Sequence, residues 1–144
     1  MAENIYLGNP NLKKANTPIE FTQEQIEEFI KCKKDPVYFA RNYVKIVSLD
    51  EGLVPFKPYD FQEKLISNFH ENRFNICKMP RQTGKSTTSV SYLLHYAVFN
   101  DSVNIGILAN KAATARDLLG RLQTAYENLP KWMQQGIIAW NKGS

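Results

Sequence analysis

Gly84, Lys85 and Ser86 stand in a row between an apolar run and an amphipathic one, and no other feature constrains the chain as much. Phe74-Asn75-Ile76-Cys77 reads as a short buried strand, and Lys78-Met79-Pro80-Arg81-Gln82-Thr83-Gly84-Lys85-Ser86-Thr87 as the loop that leaves it. Beyond the loop, Val90, Leu93, Leu94, Ala97 and Val98 recur at the spacing of one helical face. A phosphate-binding loop needs backbone N–H groups converging on an anion, with a glycine that lets the backbone come close. It also needs a lysine for the β- and γ-phosphates, a hydroxyl for Mg²⁺, and a helix beginning at that point. Gly84, Lys85 and Ser86 meet that specification in order. The glycine usual five residues earlier is replaced by Met79, followed by Pro80, a departure from the plain GxxxxGK[ST] pattern. A Gly-Lys-Ser tripeptide is common by itself, and its competing reading is a helix start with a solvated lysine. The strand before it and the helix after it make it specific. For Arg81 the competing reading is a loop arginine that is solvated or paired to a carboxylate.

The strand–loop–helix order continues. Val103–Ala109 (VNIGILA) is a nearly unbroken apolar strand of the kind covered on both faces in a parallel sheet. Asn110 can cap a long helix whose stripe includes Ala115, Leu118, Leu122 and Ala125, and Pro130 ends it. Ile137–Trp140 reads as a further strand and Asn141–Ser144 as a turn. The reading is α/β: a P-loop NTPase-like partial parallel sheet, a βαβα unit, over residues 73–144. Charge agrees with an anionic ligand there. Residues 1–72 hold 9 Lys/Arg against 11 Asp/Glu, whereas residues 73–144 hold 9 against 3. A solvated basic face fits the same asymmetry.

A helical and β-hairpin lead-in precedes the unit. Residues 1–20 carry Gly8, Pro10 and Pro18 and read as an irregular arm. Over residues 21–72, Thr22 with Gln25 three residues on forms a capping box, with Phe21 stapled to Ile26 and a stripe of Ile26, Phe29 and Ile30. Asp35-Pro36 opens a second short helix. From Val44 to Phe56 the period falls to two around Asp50-Glu51-Gly52, a hairpin. A third helix follows from about Tyr59 to Asn72, its stripe made by Phe61, Leu65, Ile66 and Phe69. Its start, Tyr59-Asp60-Phe61-Gln62, could offer an amide that donates to and accepts from the adenine edge. The plainer reading puts Phe61 in the core and Gln62 on the surface.

Several classes are excluded. Cys32 and Cys77 are widely separated, with no CxxC and no paired histidine, so two reduced thiols are expected and not a zinc site. The N-terminus lacks the apolar segment of a secretory signal, and no run is long enough for a membrane span.

At MPRQTGKST, together with Phe61-Gln62 upstream and ILANKAATARDLL downstream, the chain resembles the large terminase subunit of contractile-tailed phages, the ATPase of the DNA-packaging motor. DPVYFARNYVKI, LVPFKPYDFQ, NICKMPRQTGKST and LPKWMQQGIIAWNKGS are similar to that family's N-terminal ATPase region, so the resemblance runs from about Phe21 to Ser144. The first loop glycine is commonly replaced in that family, as it is here by Met79. The resemblance implies ATP and Mg²⁺ as cofactors. The implied ATP-binding residues are Gln62, Pro80, Arg81, Gln82, Thr83, Gly84, Lys85, Ser86 and Thr87. Within that set Lys85 is the Walker A lysine, Ser86 the magnesium-side hydroxyl, Arg81 an arginine acting in cis on the γ-phosphate, and Gln62 the adenine reader. Asn110-Lys111 falls where the family links ATPase state to DNA, although a helix cap also accounts for Asn110. The implied partners are duplex DNA, the portal protein, the small terminase subunit and the C-terminal portion of the large subunit. The implied location is the cytoplasm of the phage's host.

A working P-loop ATPase also needs an acidic residue at the end of an apolar strand for Mg²⁺, and commonly a glutamate that orients water. After Lys85 the acids are Asp101, Asp117 and Glu127, and none stands at such a place. The chain therefore reads as the front part of a terminase with Walker A only, inactive in hydrolysis by itself. Two alternatives stay open: a fragment of a helicase-like P-loop ATPase, and a non-enzymatic basic module that binds nucleic acid or a protein partner.

Overall fold

The computed structural model describes residues 4–141, so all but the first residue of the turn expected at Asn141–Ser144 lies outside it. The first correction comes at the N-terminal end. The arm is not irregular but folds into β1 (Ile5–Tyr6) and β2 (Asn9–Lys13), paired antiparallel around Leu7 and Gly8 at positive φ. Leu12 is fully buried. Gln134, itself 2% exposed, accepts from the Lys13 N–H at 3.1 Å and donates to the Asn11 carbonyl at 2.8 Å. The Ile137 N–H donates to the Lys13 carbonyl at 2.8 Å, and the Ala15 N–H to the Ile137 carbonyl at 3.1 Å. This single parallel bridge, Lys14 to Ile137, is what remains of the strand expected at Ile137–Trp140. A polar, proline-bearing stretch is ordered here by partners far along the chain, which composition cannot register.

Thr22 starts α1 (Gln23–Lys34): its hydroxyl accepts from the Gln25 N–H at 3.2 Å, and Gln25 Oε1 accepts from the Thr22 N–H at 3.1 Å. Phe21 packs edge-on against Phe29. The inward face is Cys32 with Phe29, while Ile26 and Ile30 stay exposed, contrary to the expected stripe. Asp35 caps α2 (Pro36–Tyr43) by accepting from the Val37 and Tyr38 N–H groups, each at 3.0 Å. Glu28 ties the two helices by accepting from the hydroxyls of Tyr38 at 2.8 Å and Tyr43 at 2.5 Å. Those bonds, Tyr43's first, hold its carboxyl below the usual range.

The predicted hairpin forms as β3 (Lys45–Ser48) and β4 (Gly52–Pro55), in antiparallel register from Lys45 opposite Pro55 to Ser48 opposite Gly52. Then come α3 (Asp60–Glu71), α4 (Lys85–Phe99) and α5 (Ala112–Glu127). One core joins them, with Phe39, Val44, Ile66, Leu94, Val98 and Met133 each at most 1% exposed. The chain is thus mixed α/β, and its described residues form five helices and two small antiparallel sheets.

The parallel βαβα sheet expected over 73–144 is not formed among the described residues. Phe74–Cys77 and Val103–Ala109 are not paired as strands, because neither has a neighbouring strand to take its N–H and C=O groups. Phe74 is 83% exposed, Ile76 100% and Leu108 92%. Exposure along 103–108 still alternates with a period of two: Val103, Ile105 and Ile107 are half-buried, Asn104, Gly106 and Leu108 exposed. One face is covered, where Ile105 and Ile107 line a pocket with Ala115 and Leu119 of α5, instead of both. Among the described residues no helix is long and apolar enough to cross a membrane.

Candidate phosphate-binding site

Gly84 ends the loop and begins α4 in one step. It is the N-cap residue, with φ 72° and ψ 20°, in the left-handed region that side chains other than glycine's avoid. Its carbonyl accepts from the Thr88 N–H at 2.9 Å and from the Thr88 hydroxyl at 2.8 Å. The N–H groups of Lys85, Ser86 and Thr87 belong to the first turn of a 15-residue helix, where no carbonyl inside the helix can reach them. Those free donors and the positive end of the helix dipole favour an anion. Thr88, fully buried, goes unnoticed in a reading that stops at Thr87, although the run of hydroxyls from Ser86 onward is visible in the sequence.

The loop braces itself from within. The Thr83 hydroxyl donates to the Pro80 carbonyl at 2.9 Å, and Lys85 Nζ donates to the Met79 carbonyl at 3.3 Å. Gln82 sits at φ 61°, a second left-handed position. Ser86 and Thr87 are half-buried beside Thr83, while Pro80, Arg81, Gln82 and Lys85 are exposed. The ion pairs among the described residues are Arg41 with Glu63 and Asp117 with Arg121, so neither Arg81 nor Lys85 is neutralised by a carboxylate there.

Gln62 reverses its expected place, and so does Phe61. Gln62 is 4% exposed and Phe61 45%: Leu65, Ile66 and Phe69 of the predicted stripe face inward, but in the first turn of α3 the inward position falls to Gln62 and not to Phe61. Phe61 stacks instead on Tyr59, with ring centroids 5.9 Å apart and planes 13° from parallel. Gln62 Oε1 accepts from the Tyr59 N–H at 2.8 Å, closing the first turn of α3. Its Nε2 faces the carbonyls of Thr83 and Gly84, each at 3.5 Å. The fold therefore brings Gln62 to the loop although 21 residues separate it from Thr83.

The remaining candidates lie elsewhere. Lys111, not Asn110, is the N-cap of α5, and its side chain makes no capping hydrogen bond. The cap explanation for Asn110 is therefore not realised. Of the acids, Asp101 is exposed just after α4, and Asp117 lies 3.0 Å from Arg121 in a groove that Thr87 also lines. A scan of the sequence against models of known protein families finds none that matches.

Proposed function

We propose that this chain is the ATP-binding front part of a viral DNA-packaging motor, of the terminase large-subunit kind. In that reading the first-turn N–H groups of α4 and the Lys85 ammonium hold the β- and γ-phosphates, and the Ser86 hydroxyl serves Mg²⁺. Pro80, Arg81, Gln82, Thr83, Gly84 and Thr87 complete the cradle, with Arg81 free to approach the γ-phosphate. The residues present fit such a group. Free donors, a close-approach glycine and Lys85 meet at one helix start, Arg81 four residues earlier has no carboxylate partner among the described residues, and a triphosphate supplies the negative charge that they lack. The observation that carries the reading is Gly84 in its left-handed conformation directly ahead of Lys85 at the head of α4.

The finer architecture belongs to the same proposal. Phe74–Cys77 and Val103–Ala109 are two strands of a parallel P-loop sheet whose neighbouring strands come from further polypeptide of the large subunit. Apolar residues left open along the first and the period-two exposure along the second support this. Duplex DNA, the portal protein and the small terminase subunit are the partners of the assembled motor in the host cytoplasm. The test is titration of MgATP into the wild-type chain and into Lys85→Ala in a calorimeter. Removing the ammonium should cost on the order of 2–5 kcal/mol of binding free energy. Equal affinities would overturn the assignment.

A further inference from the structure

We infer that Gln62 is a positioning residue that latches the phosphate-binding loop to α3, and that it does not read the base; the nucleotide arm of the argument rests on the function proposed above. An amide side chain discriminates adenine by presenting a spare lone pair on its oxygen and a spare N–H of its NH₂ group to the base edge. In Gln62 both groups are engaged within the protein. The oxygen accepts from the Tyr59 N–H at 2.8 Å, and the nitrogen faces the Thr83 and Gly84 carbonyls at 3.5 Å. At 4% exposure the side chain offers no edge to a ligand. A Cβ added to Gly84 would collide with Gln62 Nε2, so glycine and amide occupy adjoining space with nothing between them. The amide thereby joins the first turn of one helix to the N-cap of the next and fixes where the Gly84 carbonyl, and with it the first turn of α4, can sit. A nucleotide would feel this contact through its phosphates and not through its base.

The experiment compares wild type with Gln62→Glu and Gln62→Ala. Ionised glutamate, assayed at alkaline pH where trypsin is active, keeps the oxygen that accepts from Tyr59 but has no donor for the two carbonyls, so it breaks the latch and spares the α3 cap. Trypsin cutting after the exposed Arg81 in nucleotide-free protein reports how often the loop opens. The expected result is cleavage about two- to tenfold faster in Gln62→Glu than in wild type, as loss of one net hydrogen bond implies, with a melting temperature a few degrees lower because the unfolded chain lacks the contact as well. Binding of MgATP, MgGTP and inorganic tripolyphosphate is then measured for the same proteins. Wild-type affinities for the two nucleotides should agree within about threefold, and both variants should weaken all three ligands by one common factor. Unchanged cleavage in Gln62→Glu overturns the latch. So does an adenine preference in wild type that disappears in Gln62→Ala while tripolyphosphate binding stays the same. If wild type binds none of the three, the phosphate-binding reading falls, and the cleavage arm still decides the latch.

Discussion

Gln62 Nε2 lies against Gly84 so closely that the two residues define one another's space. Gly84 also holds φ at 72°. Two independent reasons therefore forbid a side chain at that position, and Gly84→Ala should destabilise the protein by about 1–3 kcal/mol, combining left-handed strain with a displaced amide. Urea denaturation of the variant measures it. A loss below about 0.5 kcal/mol, the size of an ordinary surface substitution, would mean that the loop is not held as described.

Arg81 is exposed and has no carboxylate partner among the described residues. Arg81→Ala should accordingly leave the melting temperature of the chain unchanged. Under the proposed function its charge acts mainly on the transition state, so in an assembled, hydrolysing motor the variant should lose far more kcat than ATP affinity. Steady-state phosphate release alongside nucleotide binding separates the two, and an unchanged kcat returns Arg81 to a solvated loop residue.

The capping boxes and the loop–helix start are written in a few consecutive residues, which is why they can be read directly. Thr22 with Gln25, Asp35 with Pro36, and Gly84 ahead of Lys85 each act within one turn of chain. Pairing is different. Whether Val103–Ala109 has a neighbour depends on chain that no local pattern describes, so the apolar run suggested a covered strand and not its covering. The exchange of Phe61 and Gln62 is confined to the first turn of α3, since Leu65, Ile66 and Phe69 of the same predicted stripe do face inward. An aromatic residue is assigned to the core by its hydrophobicity, but the face of α3 is set by Ile66 and by what the loop offers to Gln62.

Gln134 exposes the same limit and yields a third prediction. It is 2% exposed and bonds the Lys13 N–H and the carbonyls of Asn11, Tyr126 and Leu129. Gln134→Leu keeps the volume and strands those groups without partners, which should cost about 2–3 kcal/mol. Hydrogen exchange should also rise across the N-terminal hairpin. A variant as stable as wild type, with an equally protected hairpin, would contradict the tie.

His95 supplies a pH dependence. It is 2% exposed among Phe39, Phe99 and Tyr92, its Nε2 lies 2.8 Å from the Cys32 carbonyl, and its Nδ1 is buried without a partner. With a carbonyl opposite Nε2, the neutral ring carries its hydrogen there. Burial holds its pKa below the ordinary 6.5. The unfolded chain therefore takes up a proton that the folded chain refuses, so stability is full above about pH 6.5 and falls as the pH drops below it. Urea melts at pH 7.5 and 5.5 should differ by about 1 kcal/mol in wild type, and the difference should shrink in His95→Phe. The contribution of Glu28, whose pKa is lowered from 4.5, is lost only at more acidic pH, so the two effects occupy separate windows. A wild-type difference retained in full by His95→Phe would place its source in another group.

The bridge between Lys14 and Ile137 also sets an order of events during synthesis. On a ribosome the first strands emerge early but have nothing to dock on until Gln134, 121 residues beyond Lys13, has left the exit tunnel. The hairpin must wait in the open while the helices that follow it assemble. Contacts of such long sequence separation form late and slow the search for the native state. Stalling translation shortly before Gln134 emerges should therefore leave a nascent chain whose middle helices are folded and whose N-terminal strands remain accessible to a protease or a chaperone.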